Sequence, residues 1–393
     1  MENTWLVATI WMALALAASL ISIRIGLSVA LVEIMLGVFG GNVFHLQTNT
    51  WIDFLASFGA ILLTFLAGAE IDPVSLRKNL RSSLMIGGVS FLIPFIGAWL
   101  FAYRVLGWDM QAAQIAGIAL STTSVAVVYA VMVETGLNET KLGKLILAAC
   151  FVTDLGTVLA LGVIFAKFDV WMAVFIGVTA LSLFFLPKVA PYVTSHLAKR
   201  VSEPQIKFFL LILFGLAWLA TAAGSEAVLP AYLIGLVAAG TLIKNRELLH
   251  RIRAIAFATL TPFYFIKAGL YISVPAVLAG IGVILMLLLV KVSAKFIGVW
   301  PLSRFFRLNH HEGLYTTLLM STGLTFGSIA ALFGLTNGFI DQNQYTILVT
   351  VVIASAVVPT LVAQRWFRPS MPAPEIQGSP PDSKPNTEVI GNP

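Results

Sequence analysis

What most limits the fold of this sequence is the recurrence of apolar runs long enough to cross a bilayer, which takes about 20 helical residues for some 30 Å of hydrocarbon. Thirteen such runs lie at 4–23, 25–42, 51–70, 82–104, 112–133, 144–166, 169–188, 206–223, 227–243, 255–272, 275–299, 312–334 and 343–364. The second is short, which predicts a tilted or partly interfacial helix. Only 11% of the 393 residues are charged, against about 25% in a soluble domain. The predicted fold class is an all-α polytopic membrane protein with about 13 transmembrane helices, and its first partner is the lipid bilayer.

The formal net charge is +6, but Lys and Arg do not gather into one face, so no nucleic-acid partner is expected. They fall between the apolar runs instead. Taking the side reached after the first run as inside, the inside connections and C-terminal flank carry Arg24; Arg77, Lys78 and Arg81; Lys141 and Lys144; Lys188, Lys199, Arg200 and Lys207; Lys244, Arg246, Arg251 and Arg253; Arg304 and Arg307; Arg365 and Arg368. Outside connections carry only Arg104 and Lys167. This bias predicts an N-terminus outside and a C-terminus in the cytoplasm, hence an odd number of spans. The first run lacks a basic leader and a small-residue cleavage site, so it reads as a retained helix.

Residues 370–393, rich in Pro, Ser and charge, read as a disordered cytoplasmic tail. Cys150 is the single cysteine; it excludes an internal disulfide and is expected to pack in its apolar run. The sequence has no G-x-G-x-x-G or Walker pattern, so no nucleotide-binding domain, no cofactor and no ATP-driven pumping are expected. An enzyme is not expected.

Two segments about 200 residues apart are alike: "GIALSTTSVAVVYAV" (117–131) and "TLLMSTGLTFGSIAA" (317–331). Ser121, Thr122, Thr123 and Ser124 answer Ser321, Thr322, Gly323 and Thr325. One copy falls in the fifth span and the other in the twelfth, which run in opposite directions. That is the pattern of an inverted repeat with two interrupted helices near the midplane, where unwound backbone faces a wet cavity. Ser and Thr also serve plain packing in membrane helices, and the repeat gains its weight from the charges beside it.

Asp154 is the acid expected in the membrane interior. It lies ten residues after Lys144 and thirteen before Lys167, about 15 and 20 Å from the helix ends. An ionised Asp there costs roughly 2.5–3.5 kcal/mol on insertion scales, which marks it as a proton or cation carrier by default. The plainer alternative is an Asp that only ties helices together. Thr153 beside it supplies a hydroxyl, and the bound metal would be the transported Na⁺ or K⁺. Three lysines also fall inside predicted spans. Lys291 and Lys295 share a helix face, and Lys295 is nine residues from Arg304, roughly 13 Å deep, too far for easy snorkelling. Lys267, within "TPFYFIKAGLYIS", is expected to snorkel outward past its aromatic neighbours.

With "ILLTFLAGAEIDP" (61–73), "STTSVAVV" (121–128), "FVTDLG" (151–156), "LPAYLIGLVAAGTL" (229–242), "TPFYFIKAGLYI" (261–272) and Lys295 before Arg304, the chain resembles the bacterial monovalent cation:proton antiporters of the second cation:proton antiporter family. The resemblance spans about residues 5–365. It implies two crossing discontinuous helices, elevator-like alternating access, a homodimer and the bacterial inner membrane. It also implies scaffold helices 1–3 (1–72) and 8–10 (206–272), core helices 4–6 (82–166) and 11–13 (275–366), and linker helix 7 (169–188).

Three departures bear on mechanism. Electrogenic sodium antiporters of this group carry two adjacent acids where this chain has Thr153-Asp154. Glutathione-gated potassium efflux systems have Gln before the Asp, and a nucleotide-binding domain. The second interrupted helix often carries Gly-Glu, here replaced by "STGLTFGS". The expected function is secondary exchange of Na⁺ for H⁺ at Asp154, with K⁺/H⁺ exchange or a K⁺ efflux pathway as the alternative. An ion sensor or an organic-anion symporter on a related fold are the readings from other classes.

Overall fold

The computed structural model describes residues 4–25, 28–69, 80–137, 140–165, 170–197, 200–223, 225 and 227–369. Arg77, Lys78, Lys167, Lys199 and the tail at 370–393 lie outside the described residues. Among the described residues the chain is helical, without a strand. The helices are α1 (Thr4–Ile25), α2 (Val29–Val43), α3 (Thr50–Ala69), α4 (Leu80–Arg104), α5 (Met110–Ser121), α6 (Val125–Glu134), α7 (Lys141–Ile164), α8 (Val170–His196) and α9 (Pro204–Ala222). Then follow α10 (Val228–Leu242), α11 (Arg246–Ile255), α12 (Thr261–Leu270), α13 (Val274–Ala279), α14 (Ile281–Phe305), α15 (His310–Met320), α16 (Thr325–Thr336) and α17 (Gln342–Trp366).

Short polar residues set many of the helix starts, each accepting a bond from a backbone amide that has no partner within the helix. Ser28, Asp109, Thr140 and Asn245 cap α2, α5, α7 and α11. Asn309 with Glu312 and Asp341 with Gln344 form capping boxes at α15 and α17.

The fifth and twelfth spans are interrupted as the repeat predicted, giving the pairs α5/α6 and α15/α16. Other boundaries need correction. The loop expected after the ninth span holds α11, whose Leu248 and Ile252, four residues apart, are buried while its charged residues face out. Arg251 on that helix pairs with Glu203 at 2.5 Å and with Glu247. The tenth span enters as a π-helical turn, Ala256–Leu260, before α12. The eleventh divides at Gly280 into α13 and α14, and the seventh runs on to His196.

Lipid explains the uneven burial. The most apolar stretch of α1 is 17% buried, whereas that of the α15/α16 pair is 89% buried. A membrane gives apolar side chains no reason to hide, so enclosure reports packing between helices. That packing is closest at two glycine contacts. A Cβ on Gly37 of α2 would lie 2.2 Å from the Ile266 carbonyl of α12, and one on Gly269 would lie 2.1 Å from the Ile34 carbonyl. Gly68 of α3 and Gly235 of α10 meet Tyr232 O and Phe65 O at 2.3 and 2.0 Å in the same reciprocal way. Elsewhere α4 packs on α5, α7 and α14, and α17 packs on α14, α15 and α16.

Candidate functional site

Interrupting a helix leaves carbonyls at the end of its first half without partners, and this sequence fills them with its own hydroxyls. Ser121 Oγ donates to Ile118 O at 2.8 Å and Thr122 Oγ1 to Ala119 O at 3.0 Å. In the second copy Ser321 Oγ donates to Thr317 O and Thr322 Oγ1 to Leu319 O, both at 2.8 Å. The two breaks then satisfy each other. Thr123 Oγ1 donates to Met320 O at 2.8 Å, and the Ser124 amide donates to Thr322 O at 3.1 Å. The interrupted helices therefore cross at their breaks, and α5 lies against α16. The carbonyl end of one half-helix faces the amide end of another, an arrangement of opposed partial charges. Ser121, Thr122, Thr123, Ser124, Ser321 and Thr322 are all buried, Gly323 lies between them, and Thr325 opens α16.

Each break has its own lysine from α14. Lys295 Nζ donates to Ser121 O at 2.8 Å, Ser90 Oγ at 2.9 Å and Thr123 Oγ1 at 3.1 Å, a full set for an ammonium. One turn earlier, Lys291 Nζ is buried beside Gly323 and has no hydrogen-bond partner. Both lysines are fully enclosed, as expected for groups too deep to snorkel.

Asp154 is 1% exposed in the middle of α7, and its Oδ1 accepts no hydrogen bond. Lys295 lies within its electrostatic reach but directs its protons to the first break. Thr153 Oγ1 donates to Cys150 O at 2.7 Å, which leaves its lone pairs free to accept or to meet a cation. Cys150 packs as expected, with Sγ 3.7 Å from Met320 Sδ. Tyr232 of α10 donates its hydroxyl to Phe151 O at 3.0 Å, less than one turn from Asp154.

Two expectations fail here. Lys267 does not snorkel outward; it is 7% exposed and pairs with Asp53 of α3 at 2.7 Å. The pairing is the cheaper solution because an ammonium held this low in water needs a counter-charge. Asp154 is also not the only acid in the interior, since Glu33 on α2 is 2% exposed. Glu33 was legible as an acid inside the second apolar run. Ser90 and Tyr232 were missed for a different reason: a lone hydroxyl in an apolar run looks the same whether it packs or serves a lysine.

These features define a polytopic helical membrane protein whose two crossed, interrupted helices meet beside a buried acid and two buried lysines. A model of the family described as "Sodium/hydrogen exchanger, transmembrane" matches residues 11–368, and the chain belongs to that family. Similar curated proteins include the probable Na(+)/H(+) antiporter 3 of Methanocaldococcus jannaschii, 26% identical over 86% of this chain and 89% of that protein. The Na(+)/H(+) antiporter of Enterococcus hirae is 27% identical over 88% and 94%, and the Na(+)/H(+)-K(+) antiporter GerN of Bacillus cereus is 26% identical over 90% and 93%. Among solved structures, the sodium proton antiporter MjNhaP1 of Methanocaldococcus jannaschii superposes with a TM-score of 0.70 at 13% identity, covering 92% of this chain and 98% of that one. That likeness shows the shared fold.

Proposed function

We propose that the protein exchanges a monovalent cation, Na⁺ first, for H⁺ across the bacterial inner membrane, with Asp154 as the shared site. The observation that carries this reading is a buried carboxylate with an unsatisfied oxygen, set next to two crossed helix breaks in a chain of the sodium/hydrogen exchanger family. A protonated Asp154 is neutral, and a deprotonated one gains neutrality by holding the cation. Either load removes a bare charge that the membrane interior penalises. Competition for one carboxylate then gives obligatory exchange without further chemistry. Thr153 and hydroxyls at the breaks are the remaining hard oxygen donors of the proposed cation shell, and Lys295 is the fixed charge that tunes it.

The proposed motion is an elevator-like movement of a core, α4–α7 with α13–α17, against a scaffold of α1–α3 and α9–α12, linked by α8. Supporting it, the close glycine contacts join α2 to α12 and α3 to α10 within the scaffold, while the breaks bond to one another within the core. The proposed orientation has the N-terminus outside, and the protein acts as a homodimer in this reading.

A second reading, K⁺ for H⁺, is favoured by Thr153 standing where the electrogenic sodium antiporters that this chain resembles carry a second acid, and by the name of GerN, which includes K⁺. Purified protein in liposomes with an entrapped pH dye decides between them. Additions of Na⁺, Li⁺ or K⁺ that move protons identify the cation, and cation flux without proton movement would select a channel instead.

A further inference from the structure

A partly open cleft of ≈ 240 Å³ lies between α3, α9, α12 and α16, lined by Ser57, Thr221, Lys267, Phe333 and Thr336 among others. That is many times the roughly 10–15 Å³ one water needs, and Ser57, Thr221, Lys267 and Thr336 offer water polar partners there. One wall is α16, the half-helix that begins at the second break, and the other walls belong to helices of the proposed scaffold. Asp53 in the first turn of α3, Lys267 in the last turn of α12 and Thr336 at the end of α16 share one face of the protein. By the charge bias between spans this is the outer face. The cleft is therefore the outer side of the seam along which the core would move.

Lys267 is an odd residue for the wall of a cation's entry path. Its ammonium repels the substrate, and among the described residues the Asp53 carboxylate, 2.7 Å away, is the counter-charge paired with it. Asp53 is 44% exposed along its side chain against 9% for Lys267, so the acid faces water and the base faces the seam. We infer that the Asp53–Lys267 pair sets the apparent affinity for the exchanged cation at the outer face alone, and so makes the two faces of the exchanger unequal. This rests on the exchange reading above. The pair balances close to neutral, and removal of either member tips the cleft one way. Without Lys267 a free carboxylate gathers cations; without Asp53 a free ammonium turns them away.

The test compares right-side-out with everted membrane vesicles, titrating Na⁺, or K⁺ if that is the cation moved, against proton movement. Lys267→Met is expected to lower the apparent KM at the outer face by a factor of up to about two, the size of one unit charge acting through water over about a Debye length. Asp53→Asn is expected to raise it by a similar factor, and the double variant to return near wild type. All three keep the inner-face KM. High salt shrinks both shifts. If Lys267→Met fails to fold, Lys267→Gln takes its place with the same expectation.

Equal changes at both faces, or single variants that move KM in the same direction, would mean the pair is only a strut between α3 and α12, and would overturn the inference. Unchanged KM in both variants would overturn it as well. A wild type that moves no protons with any cation is a different result; it removes the exchange reading and this inference together.

Discussion

Lys291 Nζ lies 2.3 Å from the point where a Cβ on Gly323 would stand, so a larger side chain there requires the lysine to shift. Thr122 Oγ1 lies 3.0 Å from the same point. Gly323→Ala is expected to cost about 1–3 kcal/mol through overpacking, because the buried Lys291 side chain must move to admit the methyl. Lys291→Ala in the same chain is expected to recover much of the loss. Thermal melting of the two single variants and the double one checks this; additive losses would mean the contact is not the cause.

Asp154→Asn is expected to abolish cation-dependent proton movement while the protein stays folded. Glu33, the other acid buried in the interior, supplies the control. Glu33→Gln is expected to keep exchange, since its Oε2 has no hydrogen-bond partner among the described residues and α2 lies outside the interrupted helices. Wild-type-like flux in Asp154→Asn would refute the site, and loss in Glu33→Gln alone would move it to α2.

Lys295 gives the first break two hydrogen bonds, to Ser121 O and Thr123 Oγ1, and a third to Ser90 of α4. Lys295→Gln is expected to retain measurable exchange with a displaced pH profile, since a tuning charge is lost and the carrier is kept. Loss of a nearby positive charge disfavours the bare carboxylate, so the displacement is towards higher pH. Lys295→Glu is expected to do more damage, because a second acid repels ionised Asp154. Rate against pH at matched incorporation is the measurement. Superimposable profiles would make Lys295 purely structural, and full loss in the Gln variant would make it part of the carrier.

Thr153 stands where the electrogenic antiporters that this chain resembles carry an acid, so in the proposed mechanism Asp154 is the one carboxylate beside the breaks to alternate between a proton and a cation. Electroneutral one-for-one exchange is the expected outcome. It is checked by imposing a membrane potential on liposomes with fixed ion gradients, where an unchanged exchange rate is the expected result and a potential-driven flux contradicts it.

How far the sequence carries the fold depends on the range of the interaction. The spans and the two breaks were legible because each is written locally, in run length and in Ser-Thr pairs that cap their own carbonyls. Helix α11 was local too, visible in Leu248 and Ile252, but a window tuned to membrane runs passes over a polar stripe that short. The site is another matter. Lys295 and Asp154 were singled out by depth, a property of one helix, and both are buried, whereas Ser90 became a partner only when α4 packed on α14. Lys267 was misread for the same reason: its counter-ion sits on α3, and nothing near it in the chain announces Asp53.

The reciprocal glycines of α2 with α12 and α3 with α10 bear on how damage to this protein should be diagnosed. At Gly37, Gly269, Gly68 and Gly235 a single methyl would strike a backbone carbonyl at 2.0–2.3 Å, and a carbonyl, unlike a side chain, cannot swing aside. Alanine at these positions is therefore expected to remove activity as a change at Asp154 is, but by a different route: the clash keeps the helices from docking, and less intact protein reaches the membrane. A growth assay scores the two injuries alike. Only the amount of intact protein in the membrane separates a broken hinge plate from an empty lock.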